Sequence, residues 1–205
     1  MNRSELKTKA KESLKGHYKE AIKLFFLYIL VCIGFTVIVS IIEENFEING
    51  LFSFILTLIP TLGVYALYPG FYSFFLKISR NEEVNCKELF KYKNLFLVTI
   101  GTSFIASIFS FLGALLFIIP GIIIALSYSM VYFVIVDNPE IGIMNVLRKS
   151  KDIMNGHKFD YFVLNLSFIG WYILSYFTLG ILLLWLAPYI MVTTANFYNK
   201  IKEQN

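Results

Sequence analysis

Charged residues are missing from most of this chain. Only 16% of its 205 residues are Asp, Glu, Lys or Arg, and four long runs contain none of them: 24–42, 51–76, 95–136 and 161–199. Hydrophobic residues make up 57% of the sequence. A chain with so little polar surface is not expected to fold as a water-soluble domain. The sequence therefore predicts an all-α integral membrane protein.

Catalytic and metal-binding motifs are missing as well. The sequence has no P-loop, no HExxH, no GxSxG and no GxGxxG. No charged residue within the apolar runs is available as a proton relay or ion site. The two cysteines, Cys32 and Cys86, and the two histidines, His17 and His157, are not arranged at metal-ligand spacing. We therefore expect no enzyme activity, no metal and no cofactor.

The lengths of the uncharged runs predict the number of membrane crossings. About 20 helical residues cross a hydrocarbon core of about 30 Å, so the first two runs each suit one span. The other two runs are long enough for two spans each, and each has a turn signal near its middle, Pro120-Gly121 and Thr178-Leu179-Gly180. The prediction is a polytopic transmembrane helical bundle of six spans, arranged as three hairpins. The expected spans are about 24–42, 51–76, 95–118, 122–136, 161–177 and 181–198.

The positions of the basic residues predict the orientation. All eighteen Lys and Arg lie before the first expected span, after the second, after the fourth or after the sixth. The connection 43–50 has three Glu and no Lys or Arg. Because basic residues are enriched in cytoplasmic loops, both termini are expected in the cytoplasm. The same residues make the bilayer, and anionic inner-leaflet lipid in particular, the expected partner, and no nucleic acid is expected.

The opening segment, residues 3–20, has the pattern of a basic amphipathic helix. Six basic residues alternate with apolar side chains that recur every four residues, at Leu6, Ala10, Leu14 and Tyr18. Such a helix is expected to lie on the cytoplasmic leaflet, with Gly16-His17 as the bend into the first span. The alternative is a solvated helix that only enforces the topology.

A second amphipathic helix is predicted after the fourth span. Asp137 or Asn138 can cap a helix whose first residue is Pro139, with Glu140 favourably placed in the first turn of the helix dipole. Gly156 is expected to end this helix, which should lie at the membrane surface. Its apolar face is formed by Ile143, Val146, Leu147, Ser150, Ile153 and Met154.

The polar residues of this region also allow a second interpretation. Asp137, Asn138 and Glu140 could converge with His157 and Asp160 in a catalytic or metal site near the cytoplasmic face. We favour capping because it explains the spacing of each residue.

A weak internal repeat joins two of the expected cytoplasmic segments. Lys15-Gly16-His17-Tyr18 precedes the first span much as Asn155-Gly156-His157-Lys158 precedes the fifth. Both histidines are expected at the interface. Trp171 and Trp185 could be ligand platforms, but Trp in an apolar run more often fills packing space or anchors the chain near the headgroups.

Several strings of the sequence are similar to a known family. They include Ile118-Ile119-Pro120-Gly121-Ile122, Asp137-Asn138-Pro139-Glu140-Ile141-Gly142, Gly156-His157-Lys158, Leu166-Ser167-Phe168-Ile169-Gly170-Trp171 and Leu184-Trp185-Leu186-Ala187-Pro188-Tyr189. The chain resembles the bacterial integral-membrane family catalogued as domain of unknown function nine-seven-five. This resemblance implies a multi-pass protein of the bacterial cytoplasmic membrane and no established activity.

Two function classes remain open, and an intramembrane enzyme is a third. The leading hypothesis is a non-enzymatic module that binds a membrane protein, a peptide or a lipid, in envelope maintenance or protection against membrane-active peptides. The alternative is a transporter or lipid-moving protein for an apolar substrate. It is favoured by the repeat and by prolines that could break helices around a cavity, Pro60, Pro69, Pro120 and Pro188.

Overall fold

The computed structural model describes residues 2–46 and 49–204, apart from the side chains of residues 59 and 61. The described residues form ten α-helices and two short 3₁₀ helices and contain no strand, which confirms the all-α prediction. The α-helices are α1 Arg3–Leu14, α2 Tyr18–Asn45, α3 Leu51–Ser79, α4 Phe96–Leu116, α5 Ile118–Ser127, α6 Val131–Asp137, α7 Ile143–Ile153, α8 Lys158–Leu166, α9 Ile169–Phe177 and α10 Leu183–Lys202. The 3₁₀ helices, Cys86–Phe90 and Lys93–Leu95, connect α3 to α4.

Four helical segments are long and apolar enough to cross a bilayer. They are α2, α3, the segment Cys86–Leu116 and the segment Ile118–Asp137, which joins α5 and α6. The last third of the chain is built from shorter or more polar helices: α8 and α9 have nine residues each, and α10 buries Thr193, Thr194 and Asn196. The sequence and the structure thus agree on a membrane protein with at least four candidate spans.

Three prolines lie inside continuous helices. Pro60 and Pro69 lie within α3, and Pro188 lies within α10. The helices are not interrupted at these three positions, so the broken helices that would favour a transporter do not form there.

The turn between α4 and α5 differs from the predicted one. The expected turn was Pro120-Gly121, but the extended residue is Phe117, and Pro120 and Gly121 lie in the first turn of α5. A proline is tolerated there because the first N–H groups of a helix have no intrahelical partner. Gly121 serves packing instead, since a Cβ atom on it would lie 2.7 Å from the Cα of Ala114 in α4.

The predicted cap before α7 is wrong. The helix begins at Ile143, with Gly142 as its N-cap, and not at Pro139. Asn138 instead ends α6, where its side-chain Nδ2 donates to the carbonyl of Val134 at 2.9 Å. Pro139 and Glu140 form the turn between the two helices.

The two Gly-His segments of the repeat have the same backbone geometry. Gly16 and Gly156 have φ angles of +88° and +78°, which favour glycine. His17 and His157 then precede the first residues of α2 and α8, with φ, ψ angles of −106°, −3° and −112°, 0°. Each segment thus turns the chain from an amphipathic helix into the next helix, as the sequence predicted for Gly16 and Gly156.

The buried core lies at the end of the bundle where the basic residues gather. It contains apolar side chains from α1, the carboxyl ends of α3, α6 and α10, and α7. At the other end, large apolar side chains are exposed, among them Leu51, Phe52, Leu116 and Phe117. A surface of this kind suits the hydrocarbon of a bilayer.

Both amphipathic helices pack on protein with their apolar faces. Leu6, Ala10 and Leu14 of α1 are buried in the core, so this stripe packs on the bundle and not on lipid, while the location of α1 at the cytoplasmic leaflet stays a prediction. The apolar face of α7 is also largely buried, and Ser150 Oγ donates to the carbonyl of Ser127 at 2.9 Å. The helical period identified the apolar faces but not their partner, which is the rest of the bundle.

Candidate functional site

Asp137, at the end of α6, accepts hydrogen bonds from three different side chains. Its carboxylate accepts two hydrogen bonds of 2.9 Å from Arg80, one of 3.0 Å from the hydroxyl of Tyr198 and one of 2.6 Å from Lys202. Only 7% of the Asp137 side chain is exposed. Because Arg80 follows α3 and Lys202 ends α10, this cluster ties three helix ends together.

A second layer of hydrogen bonds supports this cluster. Asn199 Oδ1 accepts from Arg80 Nε at 3.2 Å, and Asn199 Nδ2 donates to Ser79 Oγ at 2.9 Å. The arrangement satisfies the guanidinium and holds it against Asp137. Two cations and a buried carboxylate so arranged form an ion-pair network between helix ends.

The other predicted site residues occupy separate places. Asn138 Oδ1 accepts from Lys149 at 2.8 Å, whereas His157 Nδ1 lies 4.0 Å from an Asp160 carboxylate oxygen. His17 Nδ1 lies 3.1 Å from the carbonyl of Ser13, one turn earlier. Within residues 2–46 and 49–204, no three His, Cys, Asp or Glu side chains are grouped as metal ligands would be. Asp137, Asn138 and His157 thus contact different residues and do not converge on one site.

A cleft beside α10 brings both tryptophans together. Trp171 of α9 and Trp185 of α10 line it, and its volume is about 150 Å³. The remaining lining residues come from α1, α2 and α10 or its N-cap: Lys11, Tyr18, Leu182, Leu186 and Tyr189. We call this site the tryptophan cleft.

Two lysines of α1 lie over aromatic rings, Lys11 in the lining of the cleft and Lys7 beside it. Lys11 Nζ lies 5.8 Å from the centre of the Tyr189 ring, and Lys7 Nζ lies 4.3 Å from that of Phe168 and donates to the carbonyl of Ser167 at 3.5 Å. The rings of Phe168 and Tyr189 pack edge to face at 5.7 Å. Because Lys7 and Lys11 are one helical turn apart, they project from the same face of α1.

The comparisons with known proteins identify the family. A family model described as "Protein of unknown function (DUF975)" matches residues 1–127 and 115–205. The chain belongs to this family. No curated protein and no solved structure matches the chain. The resemblance seen in the sequence is therefore confirmed, and the description of DUF975 assigns no activity.

The tryptophan cleft of this DUF975 protein was only partly visible in the sequence. Trp171 was a candidate, but Lys7, Lys11 and Tyr189 were not. The spacing of Lys7 and Lys11 was a usable signal, since lysines at i and i+4 share a helix face. Nothing local in the sequence indicated that they would meet Phe168 and Tyr189, which lie more than 150 residues away along the chain.

Proposed function

We propose that this DUF975 protein is a non-enzymatic membrane module that binds anionic phospholipid at the tryptophan cleft. The observation that carries the proposal is the placement of Lys11 over the Tyr189 ring in a cleft that contains both tryptophans, with Lys7 one turn away over the adjoining ring of Phe168. Trp and Tyr concentrate at the headgroup level of a bilayer, and Lys side chains extend from apolar surroundings to reach phosphate groups.

The chemistry of the cleft fits a phospholipid. Lys11 supplies a positive charge to a lining whose other members are aromatic or aliphatic. The phosphate would face Lys7 and Lys11, and the acyl chain would lie along Leu186 of α10 and its N-cap residue Leu182. Each lysine near an anionic lipid contributes about 1 kcal/mol to binding.

We further propose four spans, α2, α3, Cys86–Leu116 and Ile118–Asp137, with both termini in the cytoplasm of a bacterial cell. The tryptophan cleft supports this count, because Leu182, which precedes α10, and Tyr18, which begins α2, line the same small site. The turn at Leu179 is three residues before Leu182 and therefore belongs near the basic end of α2, about 42 Å from the end at Asn45. In this arrangement α8, α9 and α10 lie at the cytoplasmic interface. The alternative is six spans, as the lengths of the uncharged runs predict, with α10 crossing the bilayer.

Cysteine labelling tests this topology in a Cys32→Ser, Cys86→Ser background. With a membrane-impermeant maleimide on intact cells, Asn45→Cys should label, and Lys91→Cys, Leu179→Cys and Gln204→Cys should not. Leu179 is 92% exposed, so access in the folded protein does not limit its reaction. Labelling at both Asn45→Cys and Leu179→Cys would favour six spans, and labelling at Gln204→Cys without labelling at Asn45→Cys would reverse the orientation.

Tryptophan quenching tests the lipid site, because the only two tryptophans line the cleft. In nanodiscs, brominated phosphatidylglycerol should quench the emission more than brominated phosphatidylcholine does. Lys7→Gln, Lys11→Gln should remove about 2 kcal/mol, or about 30-fold in relative affinity for the anionic lipid.

The matched control is the double variant Lys15→Gln, Lys19→Gln. Both lysines are exposed, lie on the same segment and do not line the cleft. The control should keep the wild-type preference for phosphatidylglycerol. Equal quenching of the wild type by the two lipids would contradict the proposed function.

A further inference from the structure

A second cavity lies between α2 and α3, far from the basic end of the bundle. Its volume is about 300 Å³. Polar residues of α2 line it at helical spacing, Cys32, Thr36, Ser40 and Glu43, opposite Thr57 and Pro60 of α3. α2 begins at Tyr18 and is about 42 Å long by its 28 residues, so Glu43 lies near the end that is opposite to Lys19 and Lys23. A polar lining in the outer half of two apolar helices is costly unless its groups are hydrogen-bonded.

The hydroxyl hydrogens of this lining are already used. Thr36 Oγ1 donates to the carbonyl of Cys32 at 3.0 Å, and Ser40 Oγ donates to the carbonyl of Thr36 at 3.1 Å. Thr57 Oγ1 donates to the carbonyl of Phe54 at 2.8 Å. Hydroxyl oxygens retain acceptor capacity when their hydrogen is engaged. Thr36 and Ser40 therefore present hydrogen-bond acceptors to the cavity.

Two further features add acceptor character. Ser53 Oγ donates to one oxygen of the Glu43 carboxylate, and a carboxylate has further lone pairs that can accept. Pro60 has no N–H, so it donates no helical hydrogen bond to the carbonyl of Leu56. A ligand that complements this lining must bring hydrogen-bond donors.

The charge at this end of the protein also selects the ligand. The sequence contains no Lys or Arg between Lys23 and Lys77, whereas Glu43, Glu44 and Glu47 all lie in that interval. The negative charge of Glu43 is thus not balanced by a basic residue of α2's outer half or of its connection to α3. Uncompensated charge beside a low-dielectric wall attracts a counter-ion more strongly than the same charge in water.

We propose that the α2–α3 cavity binds an ammonium group carried on an apolar chain. The N–H donors of the ammonium would contact the Glu43 carboxylate and the hydroxyl oxygens of Thr36 and Ser40, while the apolar chain would lie along Val39 and Val64. This ligand site is independent of the tryptophan cleft, since it lies at the other end of α2 and attracts the opposite charge.

The test measures how fast a small thiol reagent alkylates Cys32 in the Cys86→Ser protein, in a neutral detergent. Three probes share a dodecyl chain: dodecylammonium, dodecyltrimethylammonium and dodecanol. Dodecylammonium should slow the alkylation of Cys32, because it fills the cavity that this thiol lines. Dodecanol lacks the charge and dodecyltrimethylammonium lacks the N–H donors, so each should protect about tenfold less well.

Single variants of the neighbouring residues Glu43 and Glu44 make the test specific. Glu43→Gln should abolish the protection by dodecylammonium, whereas Glu44→Gln should keep it, since Glu44 does not line the cavity. Equal protection by dodecanol, or protection that survives Glu43→Gln, would overturn the proposal. If Cys32 does not react at all, the unfolding temperature decides. Dodecylammonium should raise it more than dodecanol in the wild type, and an equal shift would also overturn the proposal.

Discussion

Asp137→Ala is expected to lower the free energy of unfolding by about 3 kcal/mol. The substitution leaves Arg80 and Lys202 close together without the carboxylate that accepts from both. Breaking a buried ion pair by removing one partner typically costs about 3–5 kcal/mol. The lower end of that range applies here because the Arg80 and Lys202 side chains are 32% and 42% exposed, so water compensates in part.

Thermal unfolding in detergent, followed by the loss of the monodisperse peak in size-exclusion chromatography, measures this effect. Asp152→Ala is the matched control, since Asp152 is an exposed carboxylate on α7. Tyr198→Phe should have an intermediate effect of about 1 kcal/mol, because it removes one hydrogen bond to Asp137 and keeps both ion pairs. Asp137→Ala that unfolds at the same temperature as Asp152→Ala would contradict a stabilising role for the cluster.

The role of Asp137 shows where local sequence rules stop. Asp before Asn-Pro is a strong capping pattern, and the sequence gives no sign of another partner. Arg80 and Lys202 are 57 and 65 residues away along the chain. A helix cap is a local interaction and can be predicted from spacing, whereas an ion pair between helix ends depends on the packing of the whole bundle. In the structure, the Asp137 carboxylate is paired with cations at other helix ends and does not cap a helix.

The amphipathic helices also combine a feature that local sequence predicts with one that depends on the packing of the whole bundle. Their apolar faces followed from the helical period, and the faces of both α1 and α7 are buried as that period requires. The period does not distinguish a lipid surface from a protein surface, since both are apolar. Leu6, Ala10 and Leu14 therefore fit either partner, and only the packing of α1 on α3 and α10 decides between them.

The Pro120-Gly121 pair shows why a turn signal can be displaced. Proline and glycine mark turns because of their backbone properties, but glycine also allows two helices to approach closely. In α5, Gly121 serves the close approach of two helices: it packs on α4 near Gly113 and Ala114, and Phe117 makes the turn. The hairpin was predictable from the length of the apolar run, and the residue at its tip was not.

Gly121→Leu is therefore expected to destabilise the protein strongly, and Pro120→Leu only weakly. A Cβ atom on Gly121 would lie 2.7 Å from both the Cα and the Cβ of Ala114, so α4 and α5 would have to separate. Overpacking of this kind costs about 1–3 kcal/mol, and backbone contact places Gly121→Leu at the upper end. Pro120 lies in the first turn of α5, where its missing N–H has no intrahelical carbonyl to bond, so its replacement should cost less than about 1 kcal/mol.

The two single variants separate packing from turn formation when their unfolding temperatures and membrane yields are compared. Gly34→Leu is the control for adding a large side chain to a helical glycine, because nothing lies within 4 Å of a Cβ atom there. If Gly121 acts through packing, Gly121→Leu alone should lose yield and stability. Similar losses in Pro120→Leu and Gly121→Leu would instead mean that the pair acts as a turn, as its sequence suggests. The observed backbone, with Phe117 extended and its N–H donating to the carbonyl of Gly113 at 3.1 Å, favours the packing role.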